Sequence, residues 1–174
     1  MKLSKSKLKE LKEIESKNGK ITVSDFKTIL KTNINKDEFK FETKIEYINN
    51  KFVITFLGKH YAKNVIQNTW HRGILLKYKK AIKTSAKNAF LLTINKSILP
   101  YTPLTKVKVN IKVYNPRSRD DDANYDTLKW MRDTFTVHKL LKDDNRNIIV
   151  STQEEEILSK EWKIVFIVED ISVP

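Results

Sequence analysis

Lys106-Val107-Lys108-Val109-Asn110-Ile111-Lys112-Val113 runs, through Asn115-Pro116, into Arg117-Ser118-Arg119-Asp120-Asp121-Asp122-Ala123-Asn124-Tyr125-Asp126-Thr127-Leu128-Lys129. The first part alternates apolar β-branched residues with polar ones, the pattern of a strand buried on one face. Asn115-Pro116 stops it, since proline brings no N–H to a ladder. From about Asn124 to Val137 the period lengthens. Tyr125, Leu128, Met131, Arg132 and Phe135 fall on or near one side of a helix. Consecutive aspartates fill the join. Beyond the helix, Leu140-Leu141-Lys142 leads to Asp143-Asp144, and Asn147 to Thr152 reads as a short strand.

Upstream, Lys44–Ile48 and Phe52–Leu57 read as strands around an Asn49-Asn50 turn. Phe52–Leu57 is apolar on both faces and is expected to be central. Lys59 to Thr69 looks polar and irregular. Trp70 to Phe90 is helical, with Ile74, Leu75, Tyr78, Ile82 and Ala86 on one face and Arg72, Lys77, Lys79, Lys80, Lys83 and Lys87 on the other. Downstream, Glu154-Glu155-Glu156 reads as a solvated run and Trp162 to Val168 as the last strand. The expected class is α/β (α+β), with a mixed four- to five-stranded sheet and helices mainly on one face. Residues 1–43 form an accessory segment with helices over 1–17 and from Ser24; residues 44–174 form the main domain.

The chain has 174 residues, 40 % of them apolar, which suits one domain with a sizeable core. Its formal net charge is +13 and its pI about 9.7. That balance implies a polyanionic partner, nucleic acid before an anionic membrane surface. No apolar run is long enough to span a bilayer and no signal-peptide pattern opens the chain, so no membrane partner is expected. Cysteine is absent, which excludes disulfides, thiolate catalysis and Cys-type zinc sites and fits a reducing cytoplasm. His60, His71 and His138 are too scattered for a His-based metal motif. With 3 glycines there is no phosphate-binding loop and no dinucleotide fingerprint.

Acids crowded together in a basic chain repel one another unless something offsets the charge. Carboxylate oxygens are the ligands that Mg²⁺ and Mn²⁺ prefer. Asp120–Asp122 stand at a helix N-terminus, where the dipole favours negative charge and carboxylates can cap N–H groups. That capping role alone is the bland reading. Lys129 lies one to two turns further on, and Asp143 and Asp144 need tertiary folding to join the cluster. Two or three carboxylates with a nearby lysine suffice for metal-assisted phosphodiester hydrolysis.

Arg119-Asp120-Asp121-Asp122-Ala123-Asn124, with Lys129, Asp133 and Leu141-Lys142-Asp143-Asp144, resembles the core of the RusA-type Holliday-junction resolvases. Strand Phe52–Leu57, the segment with Asn68-Thr69-Trp70 and the basic helix Arg72–Lys87 follow that family's order. The resemblance covers roughly 50–170. It implies a homodimer that resolves four-way DNA junctions by paired Mg²⁺-dependent nicks in recombination and repair, with Mn²⁺ as a substitute ion. Such resolvases are common in phages and prophages, which implies a cytoplasmic site, nucleoid-associated or in the infected host cell.

Carried over residue by residue, Asp121 matches the first metal-binding Asp if Asn124 matches the motif Asn. Asp144, with Asp143 beside it, matches the acidic pair, and Lys129 resembles the catalytic lysine at a longer spacing. The departure is Ala123, where the second Asp is expected; Asp122 or Asp126 replaces it on a shifted register. The resemblance thus assigns catalysis to Lys129, Asp121 and Asp144, and metal binding to Asp121, Asp122, Asp143 and Asp144. DNA contacts fall to Arg72, Lys79, Lys80, Lys83, Arg117, Arg119 and Asn124. The rival expectation is a non-catalytic nucleic-acid-binding protein with a degenerate metal site; a basic virion protein is the third.

Overall fold

A computed structural model describes residues 39–70, 72–95, 98–100, 102–117 and 123–172. The helices expected over 1–17 and from Ser24 lie outside the described residues. The described elements are β1 (Glu42–Ile48), β2 (Lys51–Leu57), α1 (Lys63–Thr69), α2 (Arg72–Asn95), β3 (Val107–Asn115), α3 (Tyr125–Val137), β4 (Ile149–Leu158) and β5 (Lys163–Asp170). The class is α+β, and the sheet is mixed and five-stranded, in the order β1-β2-β5-β3-β4.

Asn49 and Asn50 both adopt positive φ, 51° and 62°, which closes β1 and β2 as a tight hairpin with Ile48 opposite Lys51. Two left-handed residues in the turn match the twist of the strands it joins. β5 runs antiparallel to both β2 and β3, whereas β3 and β4 are parallel and joined through α3. That connection is a strand–helix–strand crossover, the unit that parallel pairing requires.

Alternation along the strands selects the buried face. Phe52, Ile54 and Phe56 of β2, Val109, Ile111 and Val113 of β3, and Ile164, Phe166 and Val168 of β5 are all buried and adjacent in register. α2 and α3 cover them. Ile74, Tyr78, Ile82, Ala86 and Phe90 form the buried stripe of α2, and Leu128, Met131 and Phe135 that of α3. The Phe135 ring stands edge-on to Phe166, with centroids 5.1 Å apart. The opposite face of the sheet, with Val53, Thr55, Val165 and Ile167 at its centre, is only half-buried.

Two expectations are corrected. Lys63–Thr69 is a helix and not irregular. It is two turns long, and among its described side chains Ile66 alone is buried, too little apolar repeat to reveal a helical period. The strand expected over 147–152 runs instead to Leu158 and takes in Glu154–Glu156. β4 is an edge strand exposed along most of its length. Charge on such a strand discourages edge-to-edge pairing, and it also erases the alternation by which a strand is recognised.

Phe39 and Phe41, ahead of β1, pack on the main domain. Phe39 meets Tyr61, Trp70 and Tyr78 at ring distances of 5.9, 5.2 and 5.3 Å. Gly58, at φ 141°, lies beneath them; a Cβ there would collide with the Lys40 carbonyl.

Candidate functional site

The acidic connection belongs to the crossover unit. Its described anchors are Arg117, after the carboxyl end of β3, and Ala123, before α3. In open α/β sheets, ligand sites gather outside the carboxyl ends of strands. Ser118, Arg119, Asp120, Asp121 and Asp122 lie outside the described residues. Arg117 is exposed. The Ala123 carbonyl accepts the N–H of Lys63, 2.6 Å away, which ties the start of α3 to the start of α1.

Ala123 and Asn124 are buried, at 7 % and 4 % exposure. The position at which the family pattern calls for a second aspartate is therefore an inside position in this chain. Asn124, expected as a DNA contact, is buried at the start of α3. Its carbonyl accepts Leu128 N–H to open α3, and its side chain makes no cap bond. Asp126 in the first turn is half-buried and accepts a hydrogen bond from Gln67 Nε2 at 3.3 Å. Lys129 is exposed one turn on, and Asp133 follows a turn later. At helical spacing the three share the solvent side of α3.

Asp143 and Asp144 stand at the other end of the unit. Leu140 and Leu141 turn back on the Phe135 carbonyl, and Lys142 N–H donates to Leu104, just before β3 begins. The acidic pair thus precedes β4 at the amino end of β3, whereas Ala123 stands at the carboxyl end. α3 has 13 residues, so its ends are about 20 Å apart. Asp143 also has local work: Oδ1 accepts Asp144 N–H at 2.7 Å and Oδ2 accepts Asn145 Nδ2 at 2.6 Å. Asn145 Oδ1 in turn holds the N–H groups of Asn147 and Ile148. Asp144 is exposed. Among the described residues, no group of three His, Asp or Glu side chains is placed to hold a metal ion.

The charges sort by layer. α2 carries Arg72, Lys77, Lys79, Lys80, Lys83 and Lys87 and no acid. Lys79 stacks its ammonium over Trp130 at 4.3 Å, which fixes that cation at the α2–α3 seam. Four ion pairs lie on the sheet and its turns. They are Lys44–Glu42 (3.4 Å), Lys51–Glu169 (3.2 Å), Lys112–Glu155 (3.5 Å) and Lys163–Glu161 (3.1 Å). Lys108 stands opposite Glu169 in register. On the open sheet face lysines thus stand against acids of neighbouring strands, whereas α2 itself supplies no acid.

Sequence reasoning missed a polar chain at the carboxyl end of β3 that is buried at His60 and Asn115. His60 Nε2 donates to Asn115 Oδ1, and Asn115 Nδ2 donates to Glu156 Oε1 at 2.6 Å. The chain fixes the residue immediately before Pro116. Its members lie far apart in sequence, so no local pattern joins them. His138, just past α3, stacks on Phe90 with centroids 4.9 Å apart. Burial holds its pKa below the ordinary value of 6.5, and the neighbouring Lys87 adds to the shift.

No protein-family model matches the chain, and no curated protein matches it.

Proposed function

We propose that this protein is a divalent-metal-dependent endonuclease that binds branched DNA on its helical face and nicks it, with the four-way junction as substrate. The observation that carries the reading is the sorting of charge around the crossover unit. α2 carries six basic side chains and no acid, Lys129 is exposed on α3 beside it, and the acidic run Asp120–Asp122 precedes α3 in the chain. Such a surface attracts phosphates through counterion release, and the carboxylates offer the one local site for a cation.

The donor set fits Mg²⁺ or Mn²⁺: the carboxylates of Asp121 and Asp122, with Asp144 and, beside it, Asp143. Bound there, the ion supplies charge neutralisation and an activated water for phosphodiester hydrolysis. Lys129 contributes a fixed positive charge near the phosphate, and Arg72, Lys79 and Lys83 hold the DNA backbone. Ala123 and the acidic pair flank opposite ends of α3, so this reading assigns Asp121 and Asp144 of one chain to different ions. In this reading the protein is a homodimer, and each site takes Asp121 from one copy and Asp144 from the other. Two such sites related by a twofold axis yield paired nicks.

One observation favours a second reading, a nucleic-acid-binding protein without catalysis: Ala123 is buried where a ligand aspartate is expected. A synthetic four-way junction separates the two. Nicking that needs Mg²⁺ and is lost in Asp144→Asn supports the endonuclease. Tight binding with no nicking at any Mg²⁺ or Mn²⁺ concentration leaves the binding protein.

A further inference from the structure

A groove of about 530 Å³ runs between the Phe39–Phe41 segment and α2, lined by Phe39, Phe41, Ala81, Lys40, Lys77 and Lys80, with Thr84 and Asn88 further along. It lies on the flank of α2 turned away from α3. Tyr78 and Phe90 take the α3 side, against Trp130 and Phe135. On the β1 side, the Ser85 hydroxyl meets Thr43 at 2.7 Å. The groove is thus separate from the crossover unit and its acids. Its chemistry is mixed, with two aromatic side chains and a methyl group beside three lysines and no acid among the lining residues. The volume is that of a small-ligand cleft, room for one or two nucleotides and not for a duplex.

We propose that this groove binds a single-stranded segment of nucleic acid. Lys77 and Lys80 take consecutive phosphates and a base lies against Phe39 and Phe41. Basic grooves floored by aromatic rings hold unpaired strands in this way, without reading their sequence. Thr84 and Asn88 offer hydrogen-bond donors to sugar or phosphate. The branched substrate would then carry an unpaired arm beside the cleaved duplex. The inference rests on the nucleic-acid half of the function above and not on its catalytic half.

The test is metal-free binding of a short fluorescein-labelled oligothymidylate to the full chain, followed by anisotropy over a range of salt. Lys77→Gln/Lys80→Gln removes two groove cations. Lys108→Gln/Lys112→Gln removes two from the open sheet face, so it matches the charge change. The groove pair should lower the slope of log affinity against log salt by about 1.4, at about 0.7 per single-strand phosphate. The control pair should leave the slope near wild type. An abasic oligonucleotide, which keeps the phosphates, should bind roughly fivefold more weakly or worse. Equal slope losses in the two pairs, or no penalty for the abasic strand, would overturn the groove assignment. So would unlabelled duplex competing as well as unlabelled single strand. None of these readouts depends on cleavage, so the groove can fail while the endonuclease reading stands, and the reverse.

Discussion

If Asp121 of one copy and Asp144 of the other act on one cation, as proposed above, mixed dimers will show it. Ligand oxygens sit about 2.1 Å from Mg²⁺, so two carboxylates sharing an ion stand within about 4 to 5 Å of each other. The ends of α3 are about 20 Å apart. Asp121 is two residues from Ala123, and two residues reach about 7 Å at most. On those lengths the proposed site draws its two carboxylates from different copies. Asp121→Asn and Asp144→Asn should each abolish nicking when alone. In a mixed dimer one site holds both substitutions and the other holds neither. Co-expression with random pairing makes half the dimers mixed, which restores roughly a quarter of the wild-type sites.

The product adds a second signature. A mixed dimer has one working site, so a labelled junction should be nicked in one strand and not resolved by paired cuts. Differently tagged copies, purified through both tags, give the mixed dimer alone and sharpen the measurement. A mixed dimer no more active than either parent would refute the shared site. Asp144→Asn at full rate would remove the acidic pair from the chemistry altogether.

Three further outcomes can be checked directly. Lys129→Ala should cut single-turnover cleavage roughly 10²-fold, as loss of one pre-organised charge does, while junction affinity barely moves; rate and affinity falling together would make Lys129 a binding residue only. Reversing Lys79, Lys80 and Lys83 to Glu should flatten the salt dependence of junction binding by about 0.9 per lost phosphate contact, and Lys108→Glu/Lys112→Glu should leave it unchanged; the opposite result would move the DNA to the open sheet face. His138, whose folded pKa is lowered, contributes stability that is complete above its unfolded value of 6.5 and is lost as pH falls below it, so His138→Gln should show a smaller acid-side drop in melting temperature than wild type.

How much of this could be read from the sequence followed from burial. β3 was legible because one face packs on α3 and the other meets solvent, and such a strand must alternate. α3 was legible because its buried stripe spans the whole helix, and the hairpin because Asn49-Asn50 tolerates left-handed backbone. α1 was not, with Ile66 the one buried residue among its described side chains, and neither was the length of β4, whose acids point to both sides of an edge. The basic helix and the acidic residues were visible as composition. The pairing of the β3 lysines with strand acids was not, since Lys112 meets Glu155 across a gap of 43 positions that only the parallel register closes. Nor could sequence spacing place Asp143 and Asp144, because the direction of α3 relative to β3 decides which end they reach.

The chain has acids enough to quiet α2, yet it places none there. Lys79 and Lys83, and Lys83 and Lys87, stand four residues apart, a spacing at which like charges each cost a few tenths of a kcal/mol. The helix tolerates this because its stability comes from the buried stripe Ile74–Phe90 and not from its surface. A surface that is suboptimal for folding but uniform in sign is what a phosphate-binding face requires. Lys83→Glu isolates the trade-off. It turns both repulsive pairs into attractive ones, and Glu ahead of Lys87 is the favourable orientation. Chemical unfolding should show a gain of a few tenths of a kcal/mol, while junction affinity at low salt falls. A variant that loses stability and affinity together would show that Lys83 serves the fold, and the uniform charge of α2 would then need another explanation.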